Sequence, residues 1–191
     1  MPSLQPIGRL KRTVKKAGKR RLIDCVDLGC GPLFGELLKF AKKPGRKLHG
    51  IDRVFKEGFA VRGRRSKIKI IAGDILEKVK NYKPDSVKHF RMTMVLSSFP
   101  REWLDPRNDR CLFAVVAGHI HRVLVPNGRF RIVDKKAELE KAAEILKRAG
   151  FKISKIRRLK KTEISTGWAS RYAAFGEADW PHALIAVKRA K

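Results

Sequence analysis

Short apolar runs alternate with stretches of helical spacing along most of the chain. Apolar runs that end at a glycine or a turn are typical of buried strands. Such runs predict seven strands, near residues 22–28, 47–52, 67–71, 85–94, 130–133, 151–158 and 183–188. Between several of them, apolar positions three and four residues apart predict helices. Strands that alternate with helices form an open α/β sheet, which is parallel where helices connect the strands.

Two of the predicted helices have a clear apolar face. In residues 108–124 this face consists of Leu112, Val116, Ile120 and Val123. In residues 135–149 it consists of Leu139, Ala142, Leu146 and Ala149. A third helix is predicted over residues 36–42. We expect the helices to pack on the sheet through their apolar faces.

The first 21 residues differ from the rest of the chain. They carry eight basic groups and no acid, and prolines and glycines interrupt any helix. We expect residues 1–21 to form a basic N-terminal arm that becomes ordered on binding a partner. Residues 22–191 are long enough for one domain with its own core and too short for two domains of ordinary size.

The charge of the chain narrows the range of partners. The sequence has 46 Lys and Arg residues against 18 Asp and Glu residues, a formal net charge of +28. Such a charge favours polyanions, because each phosphate that a cation neutralises releases condensed counterions. Nucleic acid is the first candidate, bound through the arm and through two further basic clusters, residues 62–69 and 152–161. The alternatives are an anionic membrane surface, for which no amphipathic helix with large apolar anchors is found, and lysines that only solubilise the surface or form ion pairs in a heat-adapted protein.

Other compositional features favour a cytoplasmic protein. No apolar stretch approaches the roughly 18–20 residues of a membrane span, and no apolar segment of signal-peptide length follows the basic start. Cys25, Cys30 and Cys111 are an odd number of cysteines without CxxC spacing, so free thiols in a reducing compartment fit best. No metal site is predicted, since His119 and His121 would point about 200 degrees apart on a helix.

Acids and glycines follow three successive predicted strands. The first strand leads into Asp27-Leu28-Gly29-Cys30-Gly31, the second ends at Asp52, and the third is followed by Gly73-Asp74. In an open α/β sheet a ligand binds beyond the carboxyl ends of the strands, where the strand order reverses. A lone Gly-x-Gly turn often only connects a strand to a helix. The three acids together favour a ligand site.

At these positions the sequence resembles the class I methyltransferase superfamily that uses S-adenosylmethionine (SAM). The resemblance extends from Leu22 to about Val133. It includes residues 123–130, which are similar to the family's Leu-x-Pro-Gly-Gly turn, with Asn127 in place of the first glycine. It implies a Rossmann-like open, mostly parallel sheet of seven strands, with helices on both faces and an antiparallel last strand.

The resemblance also implies which residues bind SAM. In that family the acid ending the second strand binds the ribose hydroxyls, and an acid after the third strand contacts the adenine amino group, roles that fall to Asp52 and Asp74. Glycines in the first turn let the backbone approach the ligand, although Gly35 is displaced from the family's third glycine position at Leu33. The full expected set is Asp27, Gly29, Cys30, Gly31, Asp52, Asp74, Ile75 and Met92. A nicotinamide dehydrogenase would instead need glycine at Phe34.

The methyl acceptor is expected beyond the fourth strand. Amino-methylating members of the family have hydrogen-bond acceptors, prolines and an aromatic residue there. The same residue types occur in a different order in Ser97, Ser98, Phe99 and Pro100. These four are the candidate catalytic residues. Phe99 is equally a candidate core residue, and Ser98 a candidate cap or turn hydroxyl. Transfer to carbon or ribose is less favoured, because Cys111 is predicted inside a helix and no aspartate ends the fourth strand.

These features predict a cytoplasmic enzyme that transfers a methyl group from SAM to a base nitrogen of RNA, for example that of an exocyclic amine. Aromatic residues in 167–181 are candidates for stacking on an unpaired base or for a small second core. Ribosomal RNA is favoured over transfer RNA, because no separate RNA-recognition domain is visible. The alternatives are a small-molecule or protein methyltransferase with a basic surface, and an RNA-binding module of the same fold without catalytic activity.

Overall fold

A computed structural model describes residues 22–31, 37–38, 41–55, 60–62, 66–163 and 180–190. The strands are β1 (Cys25–Leu28), β2 (Lys47–Asp52), β3 (Ala60–Arg62), β4 (Lys67–Ala72), β5 (Val87–Thr93), β6 (Leu124–Asp134), β7 (Phe151–Ile153), β8 (Arg157–Arg158) and β9 (His182–Lys188). The α-helices with described bounds are α1 (Ile75–Val79), α2 (Leu112–Val123) and α3 (Lys136–Arg148). Short 3₁₀ helices span Leu96–Ser98, Arg101–Leu104 and Lys161–Glu163. The predicted arm lies outside the described residues.

The described strands form one sheet in the order β3-β4-β2-β1-β5-β6-β9-β7, with β8 paired to β9. Strands β4, β2, β1, β5 and β6 are parallel, and β9 runs antiparallel to β6. The predicted α/β class, with a mostly parallel sheet and an antiparallel last strand, is therefore confirmed. The chain moves outward from β1 through β2 to β4 and then returns to β5 on the other side of β1. This reversal opens a crevice at the carboxyl ends of the strands.

Two short strands were not predicted. Strand β3 adds an antiparallel edge to β4 where only a basic connection was expected. Strand β8 separates from β7 within the run predicted as one strand. Ile153 pairs with Ala186 and Arg157 with Ala183, so one extra residue lies on this side of the ladder. An extra residue of this kind is a β-bulge, and it divides the predicted strand in two.

The core lies on both faces of the sheet, because successive strand residues point to opposite faces. On one face, strand residues such as Val26, Phe90 and Phe130 form a large cluster with the buried sides of α2 and α3. On the other face, a smaller cluster consists of Cys25, Leu37, Leu48, Ile68 and Ile70. Leu37 is helical, so the expected covering of both faces is confirmed within the described residues.

Helix α2 differs from its prediction in where it begins. Asp105 and Asn108 each accept a hydrogen bond from the backbone N–H two residues further on, at 2.9 Å. Such side-chain turns compete with helix formation, so α2 begins only at Leu112. Phe113, not Leu112, is fully buried in this first turn. Cys111 precedes the helix as its buried N-cap residue, which corrects its predicted place inside the helix.

Helix α3 and the turn before the fifth predicted strand are close to expectation. The predicted face of α3 is buried at Leu139, Ala142 and Leu146. The turn at 126–128 interrupts the pairing of β6, since an advance of two residues on β5 corresponds to five on β6. The middle residue of this turn has a left-handed backbone, with a φ of 60°. The turn therefore bulges out of a longer strand than predicted.

A buried polar contact joins β2 to the segment after α1. His49 Nδ1 lies 2.8 Å from the Tyr82 hydroxyl, and His49 is 7% exposed. Burial, together with the charges of Lys47 and Lys69, lowers the pKa of His49 to about 4. Between pH 6.5 and about 4 the unfolded chain therefore binds a proton at this histidine that the folded protein does not bind.

We expect the free energy of unfolding to fall as the pH is lowered from 7 to 4.5, by about 2–3 kcal/mol from His49 alone. Urea unfolding of the wild type and of His49→Gln at both pH values measures this term, because glutamine does not titrate. The variant should lose less stability than the wild type over this range. Equal losses would show that His49 does not cause the pH dependence.

Candidate functional site

A cavity of about 410 Å³ lies at the carboxyl ends of the parallel strands. One half is lined by residues that follow β1, β2 and β4, namely Gly29, Asp52, Arg53, Gly73, Asp74 and Ile75. The other half is lined by residues that follow β5, namely Met94, Val95, Ser98, Phe99, Pro100 and Trp103. The volume is within the range of about 300–1,000 Å³ typical of small-molecule sites.

The turn after β1 brings its backbone close to the cavity. Gly29 has a φ of 68°, in the left-handed region that favours glycine, and its N–H donates to Ile51 O at 2.8 Å. A Cβ at this position would overlap Val95 Cγ2. Gly29 therefore lets the turn after β1 contact the loop after β5.

Asp52 connects two of the loops that line the cavity. Its Oδ2 accepts a hydrogen bond from Gly31 N at 2.8 Å, and its Oδ1 accepts one from Val54 N at 3.1 Å. Its backbone carbonyl accepts a third from Gly73 N at 3.1 Å. Each carboxylate oxygen can accept more than one hydrogen bond. The carboxylate thus holds the glycine turn and retains acceptor capacity.

Asp74 is held in place at the start of α1. Its Oδ1 accepts hydrogen bonds from Leu76 N at 2.8 Å and Glu77 N at 3.4 Å, so the residue is the N-cap of the helix. Both bonds use the same oxygen, and Asp74 lines the cavity. The cap role was not predicted, although an acid just before a helix is a typical signal for it.

Four of the predicted SAM-binding residues do not line the cavity. Asp27 and Met92 are buried in the sheet, at 3% and 0% exposure. The Cys30 sulfur points toward the opposite side of the turn, 2.8 Å from where a Cβ of Gly50 would stand, and burial raises the pKa of this thiol. Gly31 contributes through its hydrogen bond to Asp52.

The loop after β5 has a distinct backbone path. Met94 has a φ of 56°, rare for a residue other than glycine, and its N–H donates to Val133 O at 2.8 Å. A 3₁₀ turn over Leu96–Ser98 follows. Three of the four candidate catalytic residues, Ser98, Phe99 and Pro100, line the cavity, whereas Ser97 does not.

Trp103 is a site residue that the sequence analysis missed. Its ring packs on that of Phe99, with the ring centroids 5.5 Å apart and the planes at 59°. Both residues line the cavity, and Phe99 also packs against the large core cluster. An aromatic residue four positions after Phe99 and close to the end of the fourth predicted strand is a signal that could have indicated it.

Asp134 is a second residue that the sequence analysis missed. It is the last residue of β6, and its side chain is fully buried. Burial raises the pKa of its carboxyl group, while hydrogen bonds from Lys135, Ser97 and Leu96 oppose this effect. No local signal marks it, because its partners in the loop after β5 are 37 and 38 residues away in sequence.

The basic clusters are only partly described. In cluster 152–161 the exposed cations are Lys152, Lys155, Arg157, Arg158 and Lys160. Arg157 makes two short hydrogen bonds to Glu163, at 2.8 and 2.6 Å, which help to lower the pKa of Glu163 to about 2. The Arg158 guanidinium lies 5.7 Å from the centre of the Trp180 ring. In cluster 62–69, Lys69 is exposed. Residues 167–179, with most of the predicted stacking aromatics, lie outside the described residues.

Within the described ranges, no group of three His, Cys, Asp or Glu side chains is arranged to hold a metal ion. Of the helices in this part of the chain, none has the length and apolar character that crossing a bilayer requires.

The sequence matches no protein-family model and no curated protein, but the fold matches many solved structures. One is the putative methyltransferase of Haloferax volcanii in complex with its Trm112 activator, at 14% identity and a TM-score of 0.59, covering 90% of this chain and 84% of that one. Another is a SAM-dependent methyltransferase from Archaeoglobus fulgidus, at 17% identity and a TM-score of 0.55, covering 88% and 87%. The chain has the SAM-dependent methyltransferase fold.

This methyltransferase fold also carries other chemistry. The [4+2]-cyclase SpnF matches at 16% identity and a TM-score of 0.59, covering 89% of this chain and 76% of the cyclase. One fold can support different reactions, so the reaction of this protein has to be argued from its own site residues.

Proposed function

We propose that the protein transfers a methyl group from SAM to a base nitrogen of RNA. The observation that carries the proposal is one cavity with two anchored carboxylates in one half and an aromatic pair in the other. The charge of +28 favours an RNA acceptor over a small neutral molecule. Within RNA, we favour ribosomal over transfer RNA and an exocyclic amine among the base nitrogens.

The residues of the first half fit SAM. Asp52 has acceptor capacity for the two ribose hydroxyls, which are donors, and Asp74 has an oxygen not used by its cap for the adenine amino group. The contact of Gly29 with Val95 shows how little space separates the turn from the loop after β5. We assign SAM binding to these residues, with Ile75 packing against the ligand. Gly31 acts by anchoring Asp52, and Asp27, Cys30 and Met92 support the turn and β5 from within.

The residues of the second half fit a planar base. Phe99 and Trp103 offer ring faces on which an unpaired base can stack. Ser98 can accept a hydrogen bond from an exocyclic N–H and so orient the nitrogen lone pair. When bound, SAM would supply a methyl group on a sulfonium; the nitrogen would bond to the methyl carbon in line with the breaking C–S bond, and S-adenosylhomocysteine would leave as a neutral thioether. A neutral amine needs no base before the transfer, and its extra proton leaves to water afterwards.

A base that is stacked and paired within an RNA double helix cannot reach this cavity. We therefore expect a single-stranded or flipped target nucleotide. The exposed cations of cluster 152–161, together with cluster 62–69 and the N-terminal arm, would contact phosphates around it. Contacts to phosphates carry no sequence information, so the choice of target would depend on RNA shape and on the cavity.

The test is incubation of the full chain with labelled SAM and total RNA from a strain that lacks the gene, followed by mass analysis of the nucleosides. We expect the label on a base nitrogen, and label on ribose or on carbon would contradict the proposal. RNA affinity measured in parallel should fall steeply, by about 100-fold or more, between 50 and 200 mM salt. Label on protein or small molecules instead, with feeble and salt-independent RNA binding, would favour the alternative methyltransferase. RNA binding without a SAM-dependent rise in Tm would favour the inactive RNA-binding module.

A further inference from the structure

The buried carboxylate of Asp134 is bonded to the loop that carries the acceptor half of the cavity. Its Oδ2 accepts hydrogen bonds from Leu96 N at 3.0 Å and Ser97 N at 3.3 Å. The Ser97 hydroxyl lies near this carboxylate and helps to oppose the rise in its pKa. Its Oδ1 accepts a hydrogen bond from Lys135 N at 2.9 Å. Both carboxylate oxygens are therefore satisfied by donors, and two of those donors belong to the loop after β5.

A fully buried carboxylate at this place needs a reason, because removing a charge from water is costly unless donors compensate it. An apolar residue would fill the end of β6 without that cost. The backbone N–H groups of the loop would then be left without these acceptors, however, and unmade hydrogen bonds of buried groups are expensive. The carboxylate thus fixes a loop that lacks the hydrogen bonds of a regular strand or α-helix.

The same loop is attached to β6 at two consecutive residues. Met94 N donates to Val133 O at 2.8 Å, and the next two N–H contacts, from Leu96 and Ser97, reach Asp134. Ser98 and Phe99 follow immediately, and they line the cavity together with Met94 and Val95. The position of the Ser98 and Phe99 side chains is therefore set by β6, although β6 itself contributes no residue to the cavity lining.

We propose that Asp134 is a positioning residue, which holds Ser98 and Phe99 where the acceptor base must sit to receive the methyl group. The inference rests on the proposed function, and it adds that the acceptor half of the site depends on a residue outside the cavity. Asp134 touches neither SAM nor the base. Displacement reactions are sensitive to placement, so a small shift of the loop is expected to slow the transfer strongly. The SAM half is expected to be unaffected, because its anchors are Asp52 and Asp74.

Asp134→Asn is the direct test. It replaces one carboxylate oxygen with an NH2 group, which cannot accept a hydrogen bond from the backbone N–H groups that the carboxylate now binds. We expect a kcat for RNA methylation about 10- to 100-fold lower, with the Kd for SAM within about twofold of the wild type. Amide hydrogen exchange at Leu96 and Ser97 should become faster. The matched control is Asp85→Asn, the same change at a residue that pairs with Lys188 away from the cavity, and it should leave kcat unchanged.

Ser97→Ala tests the same link without changing the core, since Ser97 is exposed and the change removes only the hydroxyl that lies near the Asp134 carboxylate. We expect a few-fold lower kcat at unchanged SAM affinity. Its effect should not add to that of Asp134→Asn, because both changes break one network. This variant decides the inference if Asp134→Asn does not fold.

Three results would overturn the inference. The first is wild-type kcat and wild-type amide exchange in Asp134→Asn. The second is a parallel loss of SAM binding, which would show a general structural role. The third is full additivity with Ser97→Ala. If the wild type fails to methylate RNA, the proposed function is wrong, and the exchange of the Leu96 and Ser97 amides alone then decides whether Asp134 fixes the loop.

Discussion

Asp52→Ala is expected to weaken SAM binding by about 100-fold or more and to abolish the labelling of RNA, since each hydrogen bond to a charged group contributes about 1.5–3 kcal/mol. The carboxylate is assigned two roles that alanine cannot fill. It would accept the ribose hydroxyls, and it holds Gly31 N and Val54 N in the loops beside the ligand. Loss of the anchor and loss of the ligand contact therefore act in the same direction.

Isothermal titration calorimetry with SAM and the SAM-dependent rise in Tm measure the loss of SAM affinity. The matched control is Asp109→Ala, which removes an exposed carboxylate that pairs with Arg148 outside the cavity. The control should bind SAM as the wild type does. Asp52→Asn should lie between the two, because its amide oxygen keeps one of the acceptors. SAM binding within about threefold of the wild type in a folded Asp52→Ala protein would refute the ribose assignment.

Gly29→Ala is expected to lower the free energy of unfolding by about 2–4 kcal/mol and to weaken SAM binding. Two causes combine at this position. The φ of 68° is unfavourable for any residue with a Cβ, and the new Cβ would overlap Val95 Cγ2. Relief of the overlap requires the turn after β1 or the loop after β5 to move, and both line the cavity.

Gly45→Ala separates the two causes. Gly45 has a similar φ of 73°, but no atom lies within 4 Å of the Cβ it would carry. Urea unfolding should therefore show only the backbone cost at Gly45, about 1–2 kcal/mol, and SAM binding should not change. Adding Val95→Ala to Gly29→Ala should restore part of the stability. Equal destabilisation by Gly29→Ala and Gly45→Ala would show that the contact with Val95 does not matter.

The sequence predicts the lining residues of the two halves of the site to different extents. In the first half, Gly29, Asp52 and Asp74 line the cavity where the strand-end pattern put them. In the second half, Ser98 and Phe99 line it as well, but Trp103 and the anchor Asp134 were missed. The difference arises because the first half follows directly from strand ends, whereas the second depends on how an irregular loop is folded against a distant strand.

Side-chain direction was the other point that local reasoning could not decide. Cys30 stands between two glycines in the turn after β1, yet its sulfur packs near Gly50 and away from the cavity. Asp27 precedes the turn and is predicted to bind the ligand, but its place in β1 buries it within the sheet. For Asp27, the pairing of β1 with β2 and β5 on either side sets its place within the sheet.

The sequence by itself determined the class of the fold, the seven main strands, the acids and glycines at the strand ends, and the strongly cationic character of the protein. These features are local, because the period of apolar positions and the identity of turn residues act over a few neighbours. Only the tertiary structure decided which side chains share the cavity, how Gly29 meets Val95, and how Asp134 reaches a loop 37 residues away. Those contacts join segments that are distant in sequence, and they exist only once the sheet has set its strand order.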